Sequence, residues 1–208
     1  MRSLSLTIRT ACTALFAASL MGCAIVPERQ LVDLRSVPPD MIILVGKIEL
    51  HPPLAPGEQM LKTEQGEHLK DAFILYVGSQ PIDVSAGVPE GFAGSFYTTL
   101  EQEFFITVRR DKTLYLPGGT FYTAYDPPAR VESHDLSSPL QVDLRPEDEA
   151  VYIGTVQYFR DKDNALRSVS IRDDYTWAAA QFKERLGTEK TIRKALVMPV
   201  GCSTCAAP

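Results

Sequence analysis

Apolar residues run unbroken from Met41 to Val45 and then alternate with polar ones through Leu50, as in a strand buried on both faces at its start and on one at its end. His51-Pro52-Pro53 closes it. Further strand patterns, rich in β-branched and aromatic residues, cover 72–77, 103–109, 113–116, 120–125, 140–144, 150–159 and 165–172, with Gly, Pro or Asp clusters between them. The polar stretch 54–70 reads as a long loop with one helical turn near Glu58 to Lys62, and the small-residue stretch 79–97 as a further loop. Eight short strands beside one helix predict a mainly β fold, an antiparallel β-sandwich with a single C-terminal helix packed on it, rather than an alternating βαβ arrangement.

That helix is expected over 173–186. Asp173 or Asp174 can cap its free amides, Gly187 lies just past its end, and Lys183 and Arg185 complement its dipole. Tyr175, Ala178, Ala179, Phe182 and Leu186 fall within an arc of about 100°, the stripe that covers a sheet face. Trp177 lies off the stripe, with Ala180 and Glu184. Exposed aromatics are enriched at binding surfaces, which makes Trp177 the candidate partner contact. The alternative is that it packs under a loop or against 192–198.

The amino terminus has a different character. Arg2 and Arg9 precede an uncharged run from Ala11 to Met21, the layout of a bacterial export signal, and at about eleven residues it falls short of the roughly 20 that span a bilayer. The run ends in Leu20-Met21-Gly22-Cys23, which resembles the bacterial lipobox. The resemblance implies cleavage before Cys23, diacylglycerol on its thiol and a further acyl chain on the new amino terminus. Each buried methylene contributes roughly 0.8 kcal/mol, so two or three chains hold a protein on a membrane without a spanning helix. Ala24 follows the cysteine, where lipoproteins kept at the inner membrane of Gram-negative cells often carry Asp, so the expected place is the outer membrane, facing the periplasm.

The chain then divides into a signal peptide (1–22), a lipidated cysteine with a tether (23–40), a β domain (41–198) and a flexible tail (199–208). The tether contains Pro27, Pro38 and Pro39 and reaches at most about 55–60 Å when extended. Composition agrees with one folded domain, at 45% hydrophobic and 23% charged residues. Net charge is −5, with no block of like charge, which argues against nucleic acid as a partner. Removal of 1–22 takes Arg2 and Arg9 with it, so 21 basic and 26 acidic residues become 19 and 26, a charge of −7. Such a domain hangs from its lipid rather than lying on anionic headgroups.

Motifs for chemistry are sparse. His51, His68 and His134 are scattered, and none sits at zinc-ligand spacing from another His or Cys. Gly94-Ser95-Phe96 is not a nucleophile elbow, and Gly118-Gly119-Thr120 lacks the lysine of a phosphate loop. Asp161-Lys162-Asp163-Asn164 begins like a calcium loop, but Ala165 and Leu166 replace the next ligand and the turn glycine, so it reads as a polar hairpin turn. Cys202 and Cys205 form the one free cysteine pair after Cys12 leaves with the signal and Cys23 is lipidated. A local disulfide or an unpaired tail is the expectation, and no metal and no cofactor beyond the covalent lipid on Cys23.

Leu116-Pro117-Gly118-Gly119-Thr120-Phe121-Tyr122 resembles the proline-glycine turn and aromatic strand of carboxypeptidase-regulatory-like and transthyretin-like β-sandwiches, with Gly119 as an extra residue. A longer resemblance covers 151–161, then Ile171-Arg172-Asp173-Asp174-Tyr175 and Arg193-Lys194-Ala195-Leu196. These look like the C-terminal half of a group of uncharacterised predicted bacterial lipoproteins, which implies the order strand, hairpin, strand, helix and no substrate. The expected function is a lipid-anchored envelope module that binds another envelope protein or polymer without catalysis. The alternatives are a periplasmic hydrolase built on carboxylates such as Glu101, Glu103 or Asp135, and a carrier of an apolar ligand lined by Phe92, Phe96 and Tyr97.

Overall fold

Alternation of apolar and polar residues becomes two sheets in the computed structural model, which describes residues 37–56, 58, 61–62, 68–69, 71–81, 92–125, 130–186 and 190–200. Leu20, Met21, Gly22 and Cys23, most of the tether, and the tail with Cys202 and Cys205 lie outside the described residues. The strands are β1 (Met41–His51), β2 (Leu61–Lys62), β3 (His68–Leu69), β4 (Ala72–Gly78), β5 (Phe92–Thr99), β6 (Glu103–Arg109), β7 (Thr113–Tyr125), β8 (Arg130–Asp143), β9 (Ala150–Arg160) and β10 (Leu166–Arg172). The helix α1 (Tyr175–Leu186) follows, then β11 (Ile192–Lys194) and β12 (Met198–Pro199). The fold is mainly β, as expected, and no described helix is long and apolar enough to cross a membrane.

The first sheet has the order β10-β9-β1-β6, with β11 also pairing β9, and the second has the order β12-β8-β7-β4-β5. β1 runs antiparallel to β6 but parallel to β9, and β11 is parallel to β9 as well. The first sheet is therefore mixed, a correction to the wholly antiparallel expectation. Its cause is connectivity: the chain leaves β1 for β4 and β5, returns beside β1 as β6, crosses again to β7 and β8, and re-enters the first sheet at β9 in the direction of β1, a crossover that a hairpin cannot make.

Inward residues of both sheets meet in one buried cluster, with Ile42, Leu44 and Ile48 from β1, Phe73 and Leu75 from β4, Phe121 from β7 and Tyr158 from β9. The Phe73 and Tyr158 rings stack 5.8 Å apart across it. The Tyr158 hydroxyl accepts a hydrogen bond from Ser138 Oγ at 3.2 Å, and burial pushes its phenol up to about 12. A second cluster lies on the other face of the first sheet, where Ala178 and Phe182 of α1 pack with Ile43, Val45, Phe105, Ala150 and Tyr152.

β9 serves both clusters through a register shift. Val45 stands opposite Tyr152 but Lys47 opposite Thr155, so Ile153 and Gly154 together face Gly46. Before this bulge Val151 and Ile153 enter the shared core; after it Val156 and Tyr158 do. An unbulged strand would carry Thr155 and Gln157 into the core instead.

Other elements depart from the sequence expectation for local reasons. Residues 113–116 and 120–125 are one strand, β7, and Pro117-Gly118-Gly119 lies within it rather than in a turn: Leu116 and Pro117 together face Val77 of β4, a bulge on β7, while Ser138 and Pro139 of β8 together face Pro117. Pro117 has no N–H to lose where the ladder is interrupted. Gly118 has φ 127°, and a Cβ there would lie 1.8 Å from the Leu136 carbonyl oxygen. The presumed loop 79–97 contains most of β5, whose small residues alternate faces between Phe96, in the core, and Ser95 and Tyr97 on the opposite side. Strand β8 begins at Arg130, ten residues before the expected segment. Residues 61–62 and 68–69 form a short ladder within the expected loop 54–70.

Gly154 has φ 102°, and a Cβ there would sit 2.8 Å from Ile171 Cγ2. Gly154→Ala is expected to cost about 1–3 kcal/mol, read as a lower urea midpoint with unchanged slope. An unchanged midpoint would show that β9 does not need this conformation.

Candidate functional site

The helix that carries Trp177 is fixed before it begins. The Asp174 carbonyl accepts the amides of Trp177 at 3.1 Å and Ala178 at 3.0 Å, and the Asp173 carboxylate accepts the Tyr175 amide at 3.0 Å. The helix therefore starts at Tyr175, two residues later than expected, with both aspartates outside it. Rather than folding back onto the first turn, the Asp174 carboxylate accepts from Thr155 Oγ1 at 2.9 Å and Arg172 Nε at 2.8 Å. Its amide donates to the Tyr152 hydroxyl at 2.8 Å. Tyr175 donates its hydroxyl to the Ile192 carbonyl, Lys194 pairs with Asp173 at 2.8 Å, and the Arg185 guanidinium lies 4.7 Å from the Phe105 ring centroid.

With Ala178 and Phe182 buried beneath, Trp177 faces outward and is 43% exposed, as the wheel predicts. A large indole held in water on a fixed helix can contribute contact area to a partner at little entropic cost, because its backbone is already ordered.

Below the helix the same sheet face turns polar. Glu49 on β1 is 4% exposed, and Arg172 of β10 holds it with both guanidinium nitrogens, at 2.9 and 2.6 Å. Lys47 Nζ lies 2.9 Å from it and Gln157 Nε2 donates at 2.9 Å. Burial alone would raise this carboxyl, but Arg172, Lys47 and Gln157 outweigh burial and hold it at about 2. The patch ends at Phe159, 36% exposed, whose ring stacks on His51 at 5.0 Å. Sequence reading missed Glu49, Gln157, Arg172 and Phe159 as a group. The polar positions of β1 alternate legibly, but their pairing partners lie more than a hundred residues away.

The other candidates are dispersed. Glu101 sits in the β5–β6 turn with φ 62° and accepts the Leu50 amide at 3.2 Å. It lines a depression of about 360 Å³ with Asp71, Gln102 and the apolar residues Leu50, Pro53, Leu54 and Leu100. Glu103 pairs in register with Lys47, and Asp135 stands on β8 of the other sheet, so these carboxylates do not converge. Phe96 belongs to the shared core while Tyr97 points to the opposite face of its strand, and the Phe92 side chain is outside the described residues.

His134 stacks on Phe121, with Nε2 2.7 Å from Thr123 Oγ1, and His51 adjoins Glu49. Asp161 closes the β9–β10 hairpin by accepting the amides of Asp163 and Ala165 at 2.8 and 2.9 Å, the polar turn expected there. Among the described residues no three His, Cys, Asp or Glu side chains are grouped to hold a metal ion.

Comparison with protein families, with curated proteins and with solved structures finds no match to the chain.

Since the Glu49 carboxyl falls from its ordinary 4.5 to about 2 on folding, its contribution is complete above pH 4.5 and is lost as pH drops toward 2. Urea titrations between pH 6 and pH 2 should show roughly 2–3 kcal/mol of stability lost over that window. In Glu49→Gln the same loss should be absent, with lower stability at pH 6. A variant that keeps the wild-type acid profile would assign the loss to other carboxylates.

Proposed function

We propose that the two sheets form a β-sandwich with the helix packed on one outer face, and that Cys23 tethers it by lipid to the envelope. The leading role is a module at the outer membrane, facing the periplasm, that binds another envelope protein or polymer and performs no chemistry of its own. The observation that carries this reading is Trp177, an exposed indole on a helix whose start is fixed by Thr155, Arg172, Tyr152 and Lys194. The dispersal of Glu101, Glu103 and Asp135 weighs against a hydrolase built on them, and the opposite faces of Phe96 and Tyr97 weigh against a shared apolar cavity.

One observation favours a hydrolase as the second reading. Asp71 and Glu101 line the same depression, and both hold left-handed backbone conformations, at φ 56° and 62°. Held strain of that kind recurs at functional sites. Both conformations also close turns, since the Asp71 carbonyl accepts the Leu100 amide and the Glu101 amide donates to the Ile48 carbonyl.

The anchor predicts that Cys23→Ala abolishes incorporation of labelled palmitate and releases the domain into the soluble envelope fraction; unchanged labelling would remove the lipobox from the argument. For the binding surface, crosslinking in intact cells followed by mass spectrometry should recover a partner with wild type that is lost in Trp177→Ala. Equal recovery from both would place the contact away from the helix.

A further inference from the structure

The outer face of the second sheet holds a group of aromatic and polar side chains that the reading above does not use. In register across β5, β4, β7 and β8, Tyr97, Ile74, Thr120 and Asp135 form one row. Ile74 and Thr120 make its floor, at 6% and 2% exposure. Tyr76 and Tyr122 stand one step to either side of that row on β4 and β7. The Tyr76 hydroxyl lies 2.8 Å from Thr120 Oγ1, and Thr120 donates onward to the Asp135 carboxylate. Tyr97 and Tyr122 are half-buried, and Asp135 is exposed. Ser95, opposite Tyr76, keeps a buried hydroxyl with no hydrogen-bond partner among the described residues.

We infer that this face binds an alkylammonium group, with Tyr76, Tyr97 and Tyr122 around it and Asp135 as its counter-charge.

Three tyrosine rings offer negative π-faces, and a carboxylate supplies the only formal charge among the outward positions of these strands from Ala72 to Tyr76, Ser95 to Thr99, Gly118 to Tyr122 and Ser133 to Ser137. No lysine, arginine or histidine shares those positions, so the face excludes anions and attracts cations. The phenols report the same field. Burial raises both Tyr76 and Tyr122 above their ordinary 10, and Asp135 raises each further, as does Tyr97 for Tyr122. Burial there disfavours any charge, and it is the smaller contribution of Asp135 that carries the sign favouring a cation. Aromatic rings around a cation contribute more as water is excluded, and the buried Ile74 and Thr120 beneath provide a dry floor. The inference does not depend on the anchor or on Trp177, whose helix packs on the other sheet.

The test uses the full chain in detergent, titrated calorimetrically with choline, with n-propylammonium, and with 3,3-dimethyl-1-butanol, the neutral isostere of choline. Saturable choline binding is expected, with the isostere about tenfold weaker. Asp135→Asn, a change at an exposed position, should weaken choline several-fold, and Tyr97→Ala should abolish binding while Tyr97→Phe retains it. A preference for n-propylammonium would identify a primary amine; a preference for choline would identify a quaternary head. Equal binding of the neutral isostere, wild-type affinity in Asp135→Asn, or no saturable binding of either cation would overturn the inference. Lys162→Ala, on the exposed β9–β10 turn of the other sheet, serves as the folded control, with unchanged affinity.

Discussion

One extra residue in β9 governs how this chain uses both faces of its first sheet. A strand alternates its side chains with a period of two, so a face that is apolar at one end stays apolar unless the register slips. Here β9 must send Tyr152 toward the helix and Val151 toward the shared core, then reverse parity so that Val156 and Tyr158 take the core positions. Placing Gly154 at φ 102° beside Ile153 achieves the reversal. Thr155, Gln157 and Phe159 thereby reach the outer face, where Thr155 fixes the helix start and Gln157 joins Glu49. The partner β1 needs no such slip, because its even-numbered residues from Ile42 to Leu50 face the core throughout and its odd ones change from Ile43 and Val45 to Lys47 and Glu49.

Buried charge on that face is tolerable only because it is paired. A carboxylate with 4% exposure would be strongly penalised alone. Arg172 meets both of its oxygens, and the same guanidinium reaches Asp174 at the helix start. The ion pair therefore joins β1 and β10 to the residue that precedes α1. Arg193 plays the corresponding part at the opposite end of β9, gripping the buried Asp148 through Nε and a terminal nitrogen, both at 2.6 Å. It ties β11 to the turn that precedes β9.

Local pattern made some of this legible and concealed the rest. The boundaries of β1, β6 and β9 agree with the sequence to within a residue or so, because each carries a long apolar or alternating run. Trp177 was legible for the same reason, since helical period alone puts it off the stripe. Strand β5 was not, because Gly94, Ser95, Thr98 and Thr99 carry little hydrophobic signal and its place is fixed by pairing with β4. Pro117 and Gly118 were misread because the residues that suit a turn also suit a bulge, and only the facing registers of β4 and β8 distinguish them. The parallel pairing of β1 with β9 depends on the path through the second sheet, which no window of sequence contains. The acidic candidates fared as spacing alone allows: Glu101, Glu103 and Asp135 are compatible with a cleft by type, but strand register places them apart.

The segments 171–175 and 193–196 owe their composition to these joints. Arg172, Asp173, Asp174 and Tyr175 meet Glu49, Lys194, Thr155 and the Ile192 carbonyl, and Arg193 meets Asp148. Each has a partner within the fold, and for Arg172 and Arg193 that partner is a buried carboxylate, which their departure would leave unpaired. A motif of that kind reports architecture. Recognition must instead use side chains whose surface or polar atoms the fold leaves unspent. Among the described residues, the exposed indole of Trp177 on the helix and the Ser95 hydroxyl on the second sheet are of that kind. They belong to opposite sides of the chain's core, so a partner held by the first would leave the second open to a different ligand.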